Sequence, residues 1–168
     1  MDYKIIDDCI HKDDLKTLTD TLCNYSLDKR TDFPWFYSES IASKHETSNA
    51  GVYFYHPFYA SFNWCSDWSF LLEPILQILQ PKAIIRIKGN LYPATENIIE
   101  HSPHTDYNYS HKGAVFFLNS NNGSTVLSDR TRISSISNRL LLFDPSCPHQ
   151  STNCTDKKSR ISINFNYY

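Results

Sequence analysis

The chain has 168 residues, of which 40% are hydrophobic and 14% aromatic, so it can bury the core of one domain. Its 16 basic and 18 acidic residues give a formal net charge of −2, which argues against the broad basic surface of a nucleic-acid-binding protein. No apolar run approaches the length that spans a membrane.

The five cysteines are irregularly spaced, and the sequence opens on MDYKIIDDC without an apolar signal segment. This pattern predicts a protein with reduced thiols in the cytoplasm. Cys147, His149 and Cys154 invite a structural zinc interpretation, but their spacing matches no usual pattern of zinc ligands. Buried thiols are the expected state of these two cysteines.

Two segments have the apolar spacing of helices. Residues 12–25 place Leu18 and Leu22 on one stripe, which predicts an amphipathic helix that rests on a sheet. A second helix is expected within 67–79, where Pro74 either bends the helix or marks its true start.

The segment between these helices, 31–65, is too aromatic for a plain linker. Two interpretations stay open, namely packing in the core and its loops, or a lid that faces a substrate. Residues 1–81 would then form the helical and aromatic N-terminal support of a single domain that spans residues 1–168.

From residue 82 onward the pattern changes to short β-like runs, separated by turn signals such as NNG and DPS. Two helices followed by roughly seven or eight strands predict a mainly β fold, a sandwich or barrel with helices on one side. Residues 82–168 would form the core of this fold.

Two of the predicted strands, 83–92 and 160–166, alternate between an apolar and a polar face. The apolar faces include Ile85, Ile87, Ile161 and Ile163, and the polar faces comprise Arg86, Lys88, Asn90, Tyr92, Arg160, Ser162, Asn164 and Asn166. The polar faces either are wetted by solvent or line a cavity for a charged ligand while helices cover the isoleucines. Periodicity alone does not choose between these two explanations.

A short motif, HTD, places His104 and Asp106 two residues apart, so that in an extended strand both side chains point the same way. His149 could supply a third ligand, and two imidazoles with one carboxylate suit ferrous iron and leave three coordination positions open. HxD alone is a weak signal in a chain with seven histidines. The ordered set that follows, His149 and then Arg160 after ten intervening residues, strengthens it.

These residues resemble the Fe(II)- and 2-oxoglutarate-dependent oxygenases of the prolyl 4-hydroxylase type, and look most like the compact versions carried by marine bacteriophages. The resemblance covers about residues 82–168 and rests on HxD, the distal histidine and the R-x-S arrangement of Arg160 and Ser162. It implies a double-stranded β-helix, the jelly roll of the cupins, with helices packed on its larger sheet. For a phage-encoded chain, the cytoplasm would be that of the host cell.

Carried over residue by residue, the resemblance implies that His104, Asp106 and His149 bind the catalytic Fe(II). Arg160 would pair with the distal carboxylate of 2-oxoglutarate, because a guanidinium offers a bidentate and always charged fork. Ser162 would add a hydroxyl donor.

Asn90 and Tyr92 form an N-x-Y sequence on the earlier strand, as cosubstrate-contacting residues do in some relatives. Tyr92 has a second interpretation, a packed aromatic residue whose hydroxyl group finds a partner. The implied reaction consumes O2 and 2-oxoglutarate, releases succinate and CO2, and hydroxylates a substrate carbon.

The expected substrate is a prolyl residue of a peptide or protein, by analogy only, and a small molecule such as an amino acid is the alternative. The expected substrate contacts are Tyr107, Tyr109, Trp35 and Arg139.

Three other functions compete with this one. Nucleic-acid dealkylation is disfavoured because Asn166 stands where relatives of that branch have a further arginine. A non-catalytic jelly-roll binding module would not need Arg160 at this spacing. A zinc hydrolase would need a carboxylate base placed to activate water, and none is evident in the sequence.

Overall fold

A computed structural model describes residues 2–23, 32–39 and 51–168. Its helices are α1 (Lys12–Cys23), a short 3-10 helix (Ser69–Leu72) and α2 (Glu73–Leu79). The strands are β1 (Tyr3–Ile6), β2 (Phe36–Ser38), β3 (Tyr53–Ala60), β4 (Asn63–Trp64), β5 (Ile84–Pro93), β6 (Lys112–Phe117), β7 (Ser124–Val126), β8 (Arg132–Ser134), β9 (Arg139–Phe143), β10 (Gln150–Ser151) and β11 (Ser159–Tyr167). In the described ranges, no helix is long and apolar enough to cross a membrane.

The strands form two antiparallel sheets. The large sheet has the order β1-β9-β6-β11-β5-β3-β2, with β4 paired to β3, and the small sheet has the order β10-β7-β8. An inner core joins them, because Leu127 and Ile133 from the small sheet side pack against Phe117 and Leu141 of the large sheet. The expected jelly roll is therefore confirmed.

The helices cover the other face of the large sheet. Leu18 and Leu22 of α1 and Ile75 of α2 are buried against the apolar side chains of β5 and β11, including Ile161 and Ile163. The alternation along these two strands thus separates an outer apolar core from an inner polar face. Apolar area removed from water by this packing is the main stabilising contribution.

Both predicted helices exist. The first begins at Lys12 as expected, and the last two residues of the predicted range, 24 and 25, lie outside the described residues. Pro74 marks the start of α2 rather than a bend, since it occupies the first turn, where the missing backbone N–H costs no hydrogen bond.

One core residue was predicted wrongly. Arg86 pairs with Asn166, but the next pair along is Ile84 with Tyr167, so the register shifts and Ile85 is skipped. Ile84 therefore packs against the outer core in the place predicted for Ile85.

The aromatic segment 31–65 contributes strands that the sequence pattern did not reveal. β2, β3 and β4 extend the large sheet, and Phe33 and Phe58 are buried in the outer core. The lid interpretation also concerned residues 31 and 40–50, which lie outside the described residues. In the described part of the segment Phe33 and Phe58 are buried, whereas Phe36, Tyr37 and Phe62 are exposed, so core packing accounts for only part of its rings.

A substitution at Ile163 tests the outer core. Ile163 is fully buried, and Ile163→Asn places an amide without a partner among apolar side chains, so the free energy of unfolding should fall by about 3 to 5 kcal/mol. Chemical denaturation measures this change. Ile98→Asn, at an exposed position, is the matched control and should stay within about 0.5 kcal/mol of wild type.

Candidate metal and cosubstrate site

Two chain segments meet beside the inner face of the large sheet and bring the predicted ligands together. His104 and His149 exchange backbone hydrogen bonds of 2.9 Å in both directions, and the Asp106 N–H donates to the Pro145 carbonyl at 3.0 Å. One potential ligand atom from each of His104, Asp106 and His149 lies within 4.8 Å of the others. The three side chains predicted from the sequence therefore form one cluster.

Backbone carbonyls orient the two imidazoles. Nδ1 of His149 lies 3.0 Å from the Cys147 carbonyl, and Nδ1 of His104 lies 3.4 Å from the Ser102 carbonyl. A carbonyl oxygen can only accept a hydrogen bond. Each Nδ1 therefore carries the hydrogen, and each Nε2 keeps its lone pair for a metal.

The Asp106 carboxylate is held on both oxygens. Arg86 Nη2 donates to Oδ1 at 2.7 Å, and Asn166 Nδ2 donates to Oδ2 at 2.8 Å. Burial alone would raise the pKa of Asp106, but Arg86, His149 and the Asn166 hydrogen bond overcome it and lower the pKa to about 2. Asp106 is therefore an anion at neutral pH.

His104 is kept neutral, as a metal ligand must be. Burial first, and then the neighbouring His149, lower the pKa of His104 below its usual value. Two imidazoles and one carboxylate form the donor set that suits Fe(II) with open positions. In the part of the chain that the structure describes, neither Cys147 nor Cys154 joins a metal-binding group, so the zinc interpretation receives no support.

A cavity opens beside these ligands, and the polar faces of β5 and β11 line it. The antiparallel register sets Tyr92 opposite Arg160, Asn90 opposite Ser162 and Lys88 opposite Asn164. All six side chains line the cavity together with the three candidate metal ligands. Of the two explanations left open by the alternation, the cavity is the one that the fold adopts.

Arg160 is the most unusual residue of the cavity, because its side chain is only 1% exposed. Nε donates to Ser135 Oγ at 2.7 Å, Nη1 to the Thr152 carbonyl at 3.2 Å and Nη2 to Thr125 Oγ1 at 3.0 Å. A guanidinium has five donors, so two N–H groups remain for a ligand.

No described carboxylate forms an ion pair with Arg160. Burial lowers the pKa of this guanidinium, which still stays charged. A buried cation without a counter-ion is costly, and an anionic ligand would offset that cost. The aromatic rings of Tyr92 and Phe117, 5.5 and 5.6 Å from the guanidinium carbon, give only weak compensation.

Two further features fit a ligand in this cavity. Oδ1 of Asn90 is the one buried side-chain polar atom without a partner among the described residues. At Gly123, an added Cβ would lie 2.7 Å from Cδ of Arg160 and 2.3 Å from the Asn153 carbonyl oxygen. The missing side chain of Gly123 is therefore what leaves room for the stem of Arg160.

The expected substrate contacts divide into two pairs. Tyr107 and Tyr109 follow the metal ligands and stack on each other at 5.2 Å, with the Arg86 guanidinium 5.4 Å from the Tyr107 ring. They lie beside the candidate metal site, and Tyr109 is exposed.

Trp35 and Arg139 are not brought to the cavity, contrary to expectation. The Trp35 indole packs against the outer core and donates to the Leu22 carbonyl at 3.0 Å, so it lies on the other face of the large sheet. Arg139 forms an ion pair with Asp7 at 2.6 Å.

From the sequence, Lys88 and Arg86 were placed only on a polar strand face that either is wetted or lines a cavity, and the pairing of Arg86 with Asp106 was not predicted. The alternation of polar and apolar residues along the strand puts Arg86 and Lys88 on the same face as Asn90 and Tyr92. That alternation indicated a polar face but could not reveal which carboxylate Arg86 would meet.

The chain matches solved structures of prolyl hydroxylases along almost its whole length. It is similar to the viral collagen prolyl hydroxylase of Paramecium bursaria chlorella virus 1, solved with 2-oxoglutarate (10% identity, TM-score 0.63, covering 98% of this chain and 94% of that one). It is also similar to a prolyl 4-hydroxylase of Pseudomonas putida, with 14% identity and a TM-score of 0.62 over 98% of this chain and 91% of that one. A third similar structure is a prolyl hydroxylase from Trichoplax adhaerens in complex with a hypoxia-inducible factor peptide fragment. Its identity is 13% and its TM-score 0.64, over 99% of this chain and 83% of that one.

These similarities show that the chain has the fold of the prolyl hydroxylases. No family model and no curated protein sequence matches it. The sequence identities are low, so the function has to be argued from the site itself.

The Asn166 hydrogen bond to Asp106 can be tested without changing the charge of the site. Asn166→Ala frees one carboxylate oxygen to rotate, so affinity for Mn(II), used as a stand-in for Fe(II), should fall about 10- to 100-fold. Electron paramagnetic resonance of free Mn(II) measures the affinity. Asn122→Ala, at the surface, should bind as tightly as wild type, and equal affinities of all three proteins would contradict the role of Asn166.

The space at Gly123 generates a separate prediction. Gly123→Ala should displace Arg160 and weaken 2-oxoglutarate binding about tenfold or more, while Mn(II) affinity stays unchanged. Calorimetric titration of the metal-loaded protein measures both affinities. Gly89→Ala meets Trp35 at 3.3 Å on the outer face, so it should leave 2-oxoglutarate binding intact.

Proposed function

We propose that this protein is an Fe(II)- and 2-oxoglutarate-dependent dioxygenase that hydroxylates an unactivated C–H bond of a peptide or protein, with a prolyl residue as the first candidate. One observation carries the proposal. A fully buried arginine without a described carboxylate partner lies in the same cavity as two histidines and an aspartate in ligand geometry.

When bound, Fe(II) and 2-oxoglutarate supply the oxidative chemistry, in which O2 converts the 2-oxo acid to succinate and CO2 and hydroxylates the substrate. His104, Asp106 and His149 would hold the metal, as a donor set that leaves coordination positions open for ligands. Arg160 fixes the distal carboxylate of the cosubstrate, with Ser162 beside it in the cavity.

Tyr92 and Asn90 orient the cosubstrate in this cavity. The Tyr92 ring lies beneath the Arg160 guanidinium and stacks on Tyr53 at 5.7 Å, so it is held in one position. Asn90 faces the space between the metal ligands and Arg160, where its unpaired amide oxygen can accept a hydrogen bond. No general base is required of the protein, whose contribution is geometry and charge pairing.

A peptide substrate is supported by the Trichoplax adhaerens relative, which was solved with a peptide fragment. Tyr107 and Tyr109, stacked beside the metal ligands, offer an aromatic surface for such a chain. No described cysteine is disulfide-bonded, which supports a cytoplasmic protein, in the host cell if a phage encodes it.

Two other functions are weaker. A small-molecule hydroxylase of the same class would use the same metal and cosubstrate residues, and the unpaired Lys88 in the cavity favours a charged substrate for it. A non-catalytic binding module would leave the buried charge of Arg160 unexplained.

The deciding experiment titrates the metal-free protein with Fe(II) and then 2-oxoglutarate under nitrogen. We expect the weak visible charge-transfer band of a chelated 2-oxo acid in wild type and its loss in His104→Ala. Arg160→Ala should need about 10- to 100-fold more 2-oxoglutarate, because a charged bidentate pair is lost.

Arg132→Ala is the matched control, since this arginine is half-exposed and pairs with Glu100 at the surface. It should behave as wild type. A folded wild-type protein that never develops the band would overturn the proposed function and favour the binding module. If the band does form, succinate formation with proline-containing peptides would identify the substrate class.

A further inference from the structure

A second cation faces the cavity besides Arg160. Lys88 lies on the polar face of β5, opposite Asn164 of β11, and lines the cavity together with His104 and Asp106. It stands four residues before Tyr92, the partner of Arg160, which separates the two backbone positions by about 13 Å at 3.3 Å per residue. The two cations therefore enter the cavity at different points along the strands.

Lys88 has no counter-ion in residues 2–23, 32–39 and 51–168. Asp106 is the acidic group that acts on Lys88, and its two oxygens already accept hydrogen bonds from Arg86 and Asn166. The ammonium group lies over the ring of Tyr53, whose centre is 5.4 Å from Nζ. Burial, and then Arg86, lower the pKa of Lys88 to about 8, so the side chain is still mostly charged at neutral pH.

The charges of the loaded site leave Lys88 unpaired. In the proposed loaded site, Arg160 would pair with the distal carboxylate of 2-oxoglutarate and Fe(II) would neutralise the other, while Arg86 pairs with Asp106. A partly buried ammonium without a counter-ion costs free energy, which an anionic group of the substrate would offset.

We infer that Lys88 is a specificity-determining residue that binds an anionic group, such as a carboxylate, on the substrate next to the reacting carbon. Asn164, directly opposite on β11, lines the same part of the cavity and can add a hydrogen bond. The inference rests on the proposed function and narrows its substrate class. A free amino acid or a peptide with an acidic group beside the target residue meets this requirement, and an uncharged segment does not.

The test uses the full chain loaded with Fe(II) and saturating 2-oxoglutarate under nitrogen, at constant ionic strength. Methanesulfonate is the probe, because it is a compact anion that coordinates metals poorly, and dimethyl sulfone is its uncharged counterpart. The readouts are the shift of the visible charge-transfer band and the heat of binding. Neither readout depends on turnover.

Wild type should bind methanesulfonate saturably and should not bind dimethyl sulfone. Lys88→Met and Lys88→Gln should each weaken the binding about tenfold or more, and Lys88→Arg should restore it, because a charged hydrogen bond is lost and regained. Lys82→Met, at an exposed position just before β5, is the matched control and should behave as wild type. Affinity for 2-oxoglutarate should be unchanged in all four variants.

Absence of saturable binding in wild type, or undiminished binding in both neutral variants of Lys88, would overturn the inference. A parallel loss of 2-oxoglutarate affinity in Lys88→Met would also overturn it, by assigning Lys88 to the cosubstrate's own 1-carboxylate. If wild type forms no charge-transfer band at all, the proposed function itself fails, which is a different result from loss of the anion response alone.

Discussion

β5 and β11 pair in antiparallel register along most of their length, and this pairing fixes both the core and the site. Because successive side chains of a strand point to opposite faces, one pair of strands can bury Ile161 and Ile163 under helices while it directs Arg160 and Ser162 inward. A shift of one residue in this register would exchange the two faces and lose both at once. Stability and ligand binding are therefore specified by the same backbone hydrogen bonds.

The buried guanidinium of Arg160 shows how the fold tolerates a charge without a permanent counter-ion. Hydroxyl groups of Ser135 and Thr125 and the carbonyl of Thr152 satisfy three of its N–H groups, and they carry no negative charge that would compete with a ligand. An acidic residue in any of these positions would stabilise the empty protein more strongly. It would also close the cavity to an anionic cosubstrate, so neutral acceptors are the arrangement that preserves binding.

The sequence was sufficient for the parts of the molecule that depend on short-range pattern. HTD, the distal histidine and Arg160 were picked out by an ordered motif and by the family resemblance it carries, and the two faces of β5 and β11 follow from alternation. The sequence was insufficient where pairing with a distant segment decides whether a segment is a strand. β1 has only four residues and is a strand because β9 lies beside it, and β3 contains Pro57 within an irregular aromatic run.

The same limit explains the misplaced residues. Trp35 is close in sequence to the exposed rings of Phe36 and Tyr37. Which face of the sheet Trp35 packs against depends on strand pairing, which composition does not encode. Arg139 shares a face of β9 with Leu141, which packs in the inner core, yet Arg139 pairs with Asp7 from the far end of the chain. Ile85 was assigned to the core by strict alternation, and the shift between Asn166 and Tyr167 breaks that alternation at one residue.

The position of β11 has a consequence for biosynthesis. β11 follows every other described strand in the chain, yet it lies inside the large sheet between β5 and β6 and carries Arg160. While the ribosome still holds β11, β5 and β6 lack their common neighbour and expose strand edges that can pair wrongly.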